Sequence, residues 1–409
     1  MKALLDGVVV LDLTRFLSGP HCTLLLAGLG AEVIKVDDPR SGDPTAGAPP
    51  FVGERGVFLE RRAAEDEGIA YLKRARGKKS ITLDLKKDEG RALFLELAAR
   101  ADVVVENFRP GVAERLGVGY EVLKERNPKL VYCALTGFGS TGPDRGLKAY
   151  DLMVQAATGM MSVTGEPQGG PVKTGTALSD TIAGTYAALG IVSALVERGK
   201  SGEGQMIDVS MVDCLFSMIM DESLDCFEAL GLAPRQGNRI VRFSPFNTYR
   251  ARDGWVAIGA ATADEWSNLL RAMGREDLES HPEWSRVGWR IANNHEVDAF
   301  VAGWACERTV AEIEAAMRSF DVACAPVRTP REAIAWPHLR SRGMVTPLQR
   351  TDGRETSVAA AGFPLKFSRS HAAHNAPAPV PGAHTKEVLQ SLLGLDEKTV
   401  DGLRQRAVV

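Results

Sequence analysis

The sequence predicts an α/β protein with a large Rossmann-like domain on an open parallel sheet and a smaller α+β domain. Three observations carry this. Short apolar runs alternate with helix-like segments through the first half of the chain. Near residue 231 the texture changes to strand-like runs bracketing an Asp-Gly pair. The length, 409 residues, suits about two domains with sizeable cores.

In chain order, "VVVLDL" at 8–13 reads as a buried strand, and "GPHCTLLLAGLG" as a helix opened by Pro20 and closed by Gly30. "EVIKV" at 32–36 reads as the next strand. Strand, helix and strand within about thirty residues make a βαβ unit, which needs parallel strands. The pattern repeats in "SITLDL" before a helix over 88–100, "DVVVENF" before helical "VAERLGV", and "KLVYCAL" at 129–135. Ligands are expected beyond the carboxyl ends of these strands. A helix is then expected from Asp180 to about Glu197, ending near Gly199 and Gly202, followed by the strand "QMIDVSM" and a helix over 212–230.

In "FNTYRARDGWVAIGA", Asp253 and Gly254 mark a hairpin, with helices expected over 263–273, 294–307 and 309–318. Asp352 and Gly353 mark a second hairpin, "NAPAPVPGAH" at 375–384 an extended connector, and two short helices the end. The expected organisation is 1–210 for the first part of the large domain, 211–230 a linker helix, 231–330 the small domain and 331–409 the return to the large one.

Composition excludes some functions. A net charge of −3 without long runs of one sign offers no footprint for nucleic acid or an anionic membrane. Cys22, Cys133, Cys214, Cys226, Cys306 and Cys324 stand singly, with no C-x-x-C and no histidine pair, so they read as reduced thiols and not as metal ligands or disulfides. No permanently bound cofactor and no metal are expected, and the apolar run at the N-terminus is too short for a signal peptide. No later stretch is expected to reach membrane-spanning length without a charge or turn. Location in the cytoplasm is the expectation.

Two motifs mislead. "GFGSTG" at 137–142 matches G-x-G-x-x-G but follows several earlier βα units and is succeeded by "PDRGLK", so a nicotinamide-binding turn is not supported. "RGKKS" at 76–80 lacks the upstream glycine of a P-loop. Its Lys78 and Lys79 remain two cations suited to phosphate or to solvent.

Asp180 stands alone at the head of "SDTIAGTYAALGIVSAL". With Ser179 as N-cap, it is the first residue of the helix, whose terminus favours the ionised carboxylate by about 0.3–1 kcal/mol. The crowd of Ala and Gly lets other backbone approach and leaves the acid few polar neighbours.

The ordered combination of "VVVLDLTRFLSGPHCTLLLAGLGAEVIKVDDPRSGD", "RGKKSITLDLKKDEG", "ADVVVENFRPGVAERLG", "NPKLVYCALTGFG", "KAYDLMVQAATGMMSVTG", "SDTIAGTYAALGIVSAL" and "GEGQMIDVSMVD" resembles the class III CoA-transferases and their racemase relatives. In the second half, "DGWVAIG" and "HLRSRGMV" are the clearest landmarks. The resemblance implies that Asp180 is a nucleophile forming an anhydride with the donor acyl group and then an aspartyl-CoA thioester. It implies an acyl-CoA substrate and a carboxylic acid acceptor. It places Phe16, Leu17 and Ser18 along the thioester, Asn107 and Phe108 as a CoA-contacting pair, Arg115 and Lys148 near the CoA phosphates, and Asp151 beside the nucleophile.

Some members carry an arginine where Asp38 stands, and Arg40 is the substitute cation expected here. Leu17 and "RQGNRIVRFSPF" depart from the glutamine and glycine-rich loop of the oxalate-handling members. The racemases carry a histidine base before the acid matching Asp151; here the residue is Tyr150, and a phenol titrating near 10 is a poor base. Transfer is therefore expected over racemisation, with a non-catalytic acyl-CoA-binding protein as the third alternative. Arg239 and Arg242 are candidates for holding a dicarboxylic acceptor, with succinyl-CoA a candidate donor. The resemblance further implies ring-shaped chains interlocked as a homodimer, with crossings near 202–231 and 326–344.

Overall fold

The computed structural model describes residues 3–374 and 376–409. They divide into two compact units. One comprises the residues up to Gly159, Thr174–Glu222 and Pro337–Val409, the other Met160–Lys173 and Ser223–Trp336.

In the first unit, six strands form one sheet: β1 (Val9–Asp12), β2 (Glu32–Asp37), β3 (Lys79–Thr82), β4 (Val103–Glu106), β5 (Val131–Thr136) and β6 (Met206–Ser210). Their order is β3-β2-β1-β4-β5-β6 and every pairing is parallel, Val10 facing both Val33 and Val103. The chain winds outward from β1 in both directions, so a crevice opens at the carboxyl ends where the order reverses. Leu11, Ile34, Val104 and Tyr132 are buried in the sheet's core. Strands covered on both faces read as unbroken apolar runs, which is why they stand out in the sequence.

The helices that matter for the site are α1 (Ser18–Gly28), α2 (Ile69–Arg74), α3 (Asp151–Ala157), α4 (Leu178–Ser201) and α5 (Met211–Ile219). Helix α4 starts two residues before Asp180 and runs through Gly199 to end at Gly202, whose φ of 80° suits a glycine C-cap. By length and apolarity it could cross a membrane, with Asp180 and Glu197 bounding its uncharged run. In this fold it packs against α1, α5, β5 and β6.

Helix α5, capped by the Ser210 hydroxyl, stops at Ile219 rather than 230 and belongs to the first unit, so it is no linker. Asp221, Glu222 and Ser223 interrupt the apolar stripe that would continue it. The hairpin at Asp352–Gly353 pairs Val345–Gln349 with Glu355–Ala361. The first residue of the expected connector, 375, lies outside the described residues; further along, the Pro379 carbonyl accepts from the Tyr71 hydroxyl. The closing helices, Thr385–Leu393 and Glu397–Gln405, place Val388, Leu389, Val400 and Leu403 in the core of the first unit.

The second unit holds β7 (Phe246–Arg250), β8 (Trp255–Gly259) and β9 (Ala323–Pro326) in one antiparallel sheet. Helices Ala263–Met273, Asn294–Ala305 and Val310–Ser319 accompany it, the first and last opened by capping boxes at Thr262 and Thr309. Residues 160–173, assigned to the first domain from sequence, lie in this unit. The Arg235 guanidinium explains it, because it binds the carbonyls of Ser162, Glu166 and Gly169.

Candidate active site

The turn between β1 and α1 is held at Thr14, Arg15 and Phe16 by side chains. The Thr14 amide donates to the Asp12 carboxylate at 2.9 Å, and the Thr14 carbonyl accepts from Lys35 Nζ at 2.8 Å. The Asn107 side chain grips Arg15 from both ends, accepting from its amide at 2.9 Å and donating to its carbonyl at 2.8 Å. The Phe16 carbonyl accepts from Arg74 Nη1 at 2.8 Å. Phe16 has φ of 68°, a region that costs a residue with a Cβ about 1–2 kcal/mol. These neighbours enforce it, and the ring is left half exposed at the mouth of a cavity.

Beneath the turn lies a dry ionic network. Lys78 Nζ reaches Asp12 Oδ2 at 2.9 Å, the Thr23 hydroxyl at 2.6 Å and the Pro20 carbonyl at 3.2 Å. Burial pushes the Asp12 carboxyl up, but Lys78, Lys35 and two threonine hydroxyls together hold it below the usual range. Lys35 also pairs with Asp37 and Asp43.

The cavity, of about 260 Å³, lies beyond the carboxyl ends of β1, β4, β5 and β6. Phe16, Ser18, Asn107, Phe108, Lys148, Tyr150 and Asp180 line it together. Asp180 is the one carboxylate among the described lining residues, and Arg109, Arg145 and Lys148 are its cations.

Close packing of α1 on α4 sets the acid in place. A Cβ added to Gly184, one turn beyond Asp180, would stand 2.5 Å from the Ser18 carbonyl oxygen, 3.1 Å from His21 Cδ2 and 3.2 Å from the Cys22 amide nitrogen. With no Cβ there, the first turn of α1 can approach α4, and Ser18 is among the groups that favour the Asp180 carboxylate. This is the use of the small residues in that stretch.

The electrostatics differ from the sequence expectation. Ser179 is not the cap: Ala177 holds that position, and the Ser179 amide and hydroxyl donate to Asp151 Oδ1 at 2.9 and 2.6 Å. Asp151 also accepts from Gln155 Nε2 at 2.7 Å, so its charge is fixed at the head of α4. Asp180 therefore does have polar neighbours. Burial and the nearby Asp151 push its carboxyl up to about 6, while Ser18 and the Arg74 guanidinium pull it down.

Other residues expected along CoA are placed elsewhere. Lys78 is fully buried against Asp12, so no phosphate reaches it. Lys79 stands between Glu32 and Glu387 at 2.7 and 2.8 Å. Arg40 pairs with Asp38 and Asp84, and Arg115 is exposed on the short helix Val112–Arg115; neither lines the cavity, nor does Leu17. The Asn107 amide is spent on Arg15, which makes it a brace for the turn. In the second unit, Arg239 is engaged by Asp298 at 2.6 Å and by His295 at 3.1 Å, while Arg242 lies exposed over the Phe243 ring. Among the described residues, no three His, Cys, Asp or Glu side chains form a group fit for a metal ion.

Arg74, Arg109 and Arg145 escaped the sequence reading, as did Glu106, which accepts from the Phe108 amide at 2.7 Å. Burial raises the Glu106 carboxyl to about 7. Each sits in or beside a loop or short helix with no periodic signal; the Arg15-to-Asn107 bracket joins residues 92 apart in sequence.

Comparison with known proteins places this geometry. Residues 5–385 match the profile of CoA-transferase family III. The chain is 36% identical over 390 residues to a succinyl-CoA:mesaconate CoA-transferase of Haloarcula hispanica, covering 94% of this chain and 95% of that one. It is 36% identical over 378 residues to an acetyl-CoA:oxalate CoA-transferase of Acetobacter aceti, covering 92% of each. Among solved structures, a CaiB/BaiF family protein from Brucella suis matches with a TM-score of 0.82 and 32% identity, over 96% of this chain and all of that one.

Proposed function

Because this chain belongs to CoA-transferase family III, we propose that Asp180 is the nucleophile through which it moves CoA from an acyl-CoA donor to a carboxylic acid. It is a class III CoA-transferase, and the transfer between thioester and carboxylate is the activity its relatives' names share. The observation that carries the role of Asp180 is its position. It is the single carboxylate among the described residues lining a cavity that otherwise presents cations and apolar groups.

The steps balance without a cofactor. An Asp180 oxygen attacks the donor's thioester carbon, the C–S bond breaks, and CoA leaves as thiolate, giving a mixed anhydride. The thiolate then attacks the Asp180 carbonyl carbon and displaces the donor acid, which leaves an aspartyl-CoA thioester. An acceptor carboxylate attacks that thioester and releases the thiolate once more, and the thiolate takes the acceptor's acyl carbon from the second anhydride, restoring Asp180. No proton is gained or lost overall, so an anionic nucleophile and exclusion of water are what the site must supply. Partial burial of Asp180 serves the second, and Ser18 with Arg74 serves the first.

The names of several relatives support a dicarboxylic acceptor with succinyl-CoA as donor. The same reading makes the enzyme a homodimer. Leu189 on α4 and Phe216 on α5 are 60% and 51% exposed, and Tyr186, Leu189 and Met218 line an apolar groove that a second copy would cover.

Incubation with succinyl-CoA followed by hydroxylamine or borohydride should modify Asp180 and nothing else, read by peptide mass spectrometry. Asp180→Asn should abolish transfer. An unmodified Asp180 in protein that is turning over would exclude the covalent route. Deuterium entering the α carbon without CoA exchange would place the chain with the racemases.

A further inference from the structure

Arg74 ends the six-residue helix α2, outside every stretch that carries the family resemblance except for its nearness to "RGKKS". It is half buried, and its guanidinium does two things. Nη1 donates to the Phe16 carbonyl at 2.8 Å, and the positive charge attracts Asp180. The turn it grips is the strained one, with Phe16 at φ of 68°, and Ser18, two residues on, is among the groups that favour the Asp180 carboxylate. Planar guanidinium donors fixed in one fork suit such a double duty, which a point-like ammonium does not.

We propose that Arg74 is a positioning residue for CoA transfer: one side chain that sets the shape of the Phe16–Ser18 turn and supplies the counter-charge to the Asp180 carboxylate. The inference rests on the reading of Asp180 as nucleophile. Over the full cycle Asp180 passes from carboxylate to neutral acyl adducts and back. A neighbouring cation favours the carboxylate, and so favours both its ionisation before attack and its departure when the last anhydride is opened. Arg74 in this way opposes the fixed negative charge of Asp151.

The groups facing Asp180 are Ser18 from α1, Arg74 from α2 and Asp151 from α3, with Arg109, Arg145, Lys148 and Tyr150 on the cavity wall; His21 of α1 faces Arg74. Loss of Arg74 removes a favourable charge, so ionisation of Asp180 moves to higher pH.

The test is the pH dependence of kcat/KM for succinyl-CoA in the full-length wild type, Arg74→Met, Arg74→Gln and Arg74→Lys. In Arg74→Met the acid limb should move up by roughly half a pH unit or more, so that activity falls further at pH 6 than at pH 8. Arg74→Lys should return the limb to its wild-type place while kcat stays below wild type. A limb unmoved in Arg74→Met overturns the proposal. If that variant fails to fold, an unmoved limb in Arg74→Gln, which keeps a donor for Phe16, overturns it equally. The two readings separate cleanly. If wild-type Asp180 is never trapped as an adduct, the nucleophile assignment fails. If it is trapped and the limb does not move, only the role of Arg74 fails.

Discussion

Gly184→Ala tests whether the small residues after Asp180 serve catalysis. Gly184 lies four residues beyond Asp180 on the same face of α4, opposite the first turn of α1. The new Cβ would lie 2.5 Å from the Ser18 carbonyl oxygen, about 0.9 Å short of ordinary contact at 3.4 Å, with His21 and the Cys22 backbone close behind. The obstacle is backbone at the start of a helix, so α1 and α4 must part by most of that distance. Overpacking of this kind costs about 1–3 kcal/mol. A displacement near 1 Å at the reacting group costs on the order of 100-fold in rate. Here it would draw Ser18 away from the carboxylate it favours.

Gly199→Ala is the matched control, because an added Cβ there meets nothing within 4 Å. It should stabilise α4 by up to about 1 kcal/mol through helix propensity and leave transfer unchanged. Urea unfolding and steady-state transfer from succinyl-CoA, measured on both variants, decide the matter. A Gly184→Ala enzyme with wild-type kcat and stability would refute the argument that close approach of α1 positions Asp180.

Asp180→Asn should be inactive yet more stable than wild type at pH 8. Folding raises the carboxyl from 3.8 to about 6, so the cost of ionising it is absent at low pH, grows as pH rises from about 4 to 6 and is fully present above; its removal is worth roughly 1–3 kcal/mol in urea titrations at pH 8 and nothing at pH 3. Lys78→Met leaves Asp12 buried without its cation and should cost about 3–5 kcal/mol by thermal or urea unfolding, whereas loss of a phosphate contact would raise KM for CoA thioesters without changing stability. The wild type should sediment as a dimer at every concentration, and Leu189→Glu with Phe216→Glu should abolish the folded dimer; a folded, active wild-type monomer would contradict the covered face.

The parallel sheet was legible because β1, β4 and β5 are buried on both faces, and such strands read as near-continuous apolar runs. The place of Asp180 in the first turn of α4 was legible from a lone charge at the head of an apolar stretch. The pair Lys78 and Lys79 was not. Adjacent residues on an extended chain face opposite ways, so one lysine enters the core towards Asp12, 66 residues away, while the other meets Glu32 and Glu387. No local pattern reports which does which. Helix α2 is six residues long and the strands before it have two or three, too short to show a period, so Arg74 had no element to belong to. The extent of α5 failed for the opposite reason: apolar residues resume after the break at 221–223, and only the break itself ends the helix.

A carboxylate used as a nucleophile faces conflicting demands, and the neighbours of Asp180 divide along that conflict. A dry site protects an anhydride from water but penalises the anion, and Asp151, held by Ser179 and Gln155 at the head of α4, adds a second penalty. Ser18 and Arg74 offset both without restoring full solvation, and the resulting value near 6 leaves roughly nine-tenths of the side chain ionised at pH 7. Hydrogen bonds strong enough to lower it to the ordinary carboxylate range would hold the lone pairs that must attack the thioester. Weaker ones would leave the group protonated. The strained Phe16 turn is what permits the intermediate case: it brings Ser18 to α4 at a distance that Gly184 alone tolerates, and its carbonyl gives Arg74 a fixed anchor from which to face the acid.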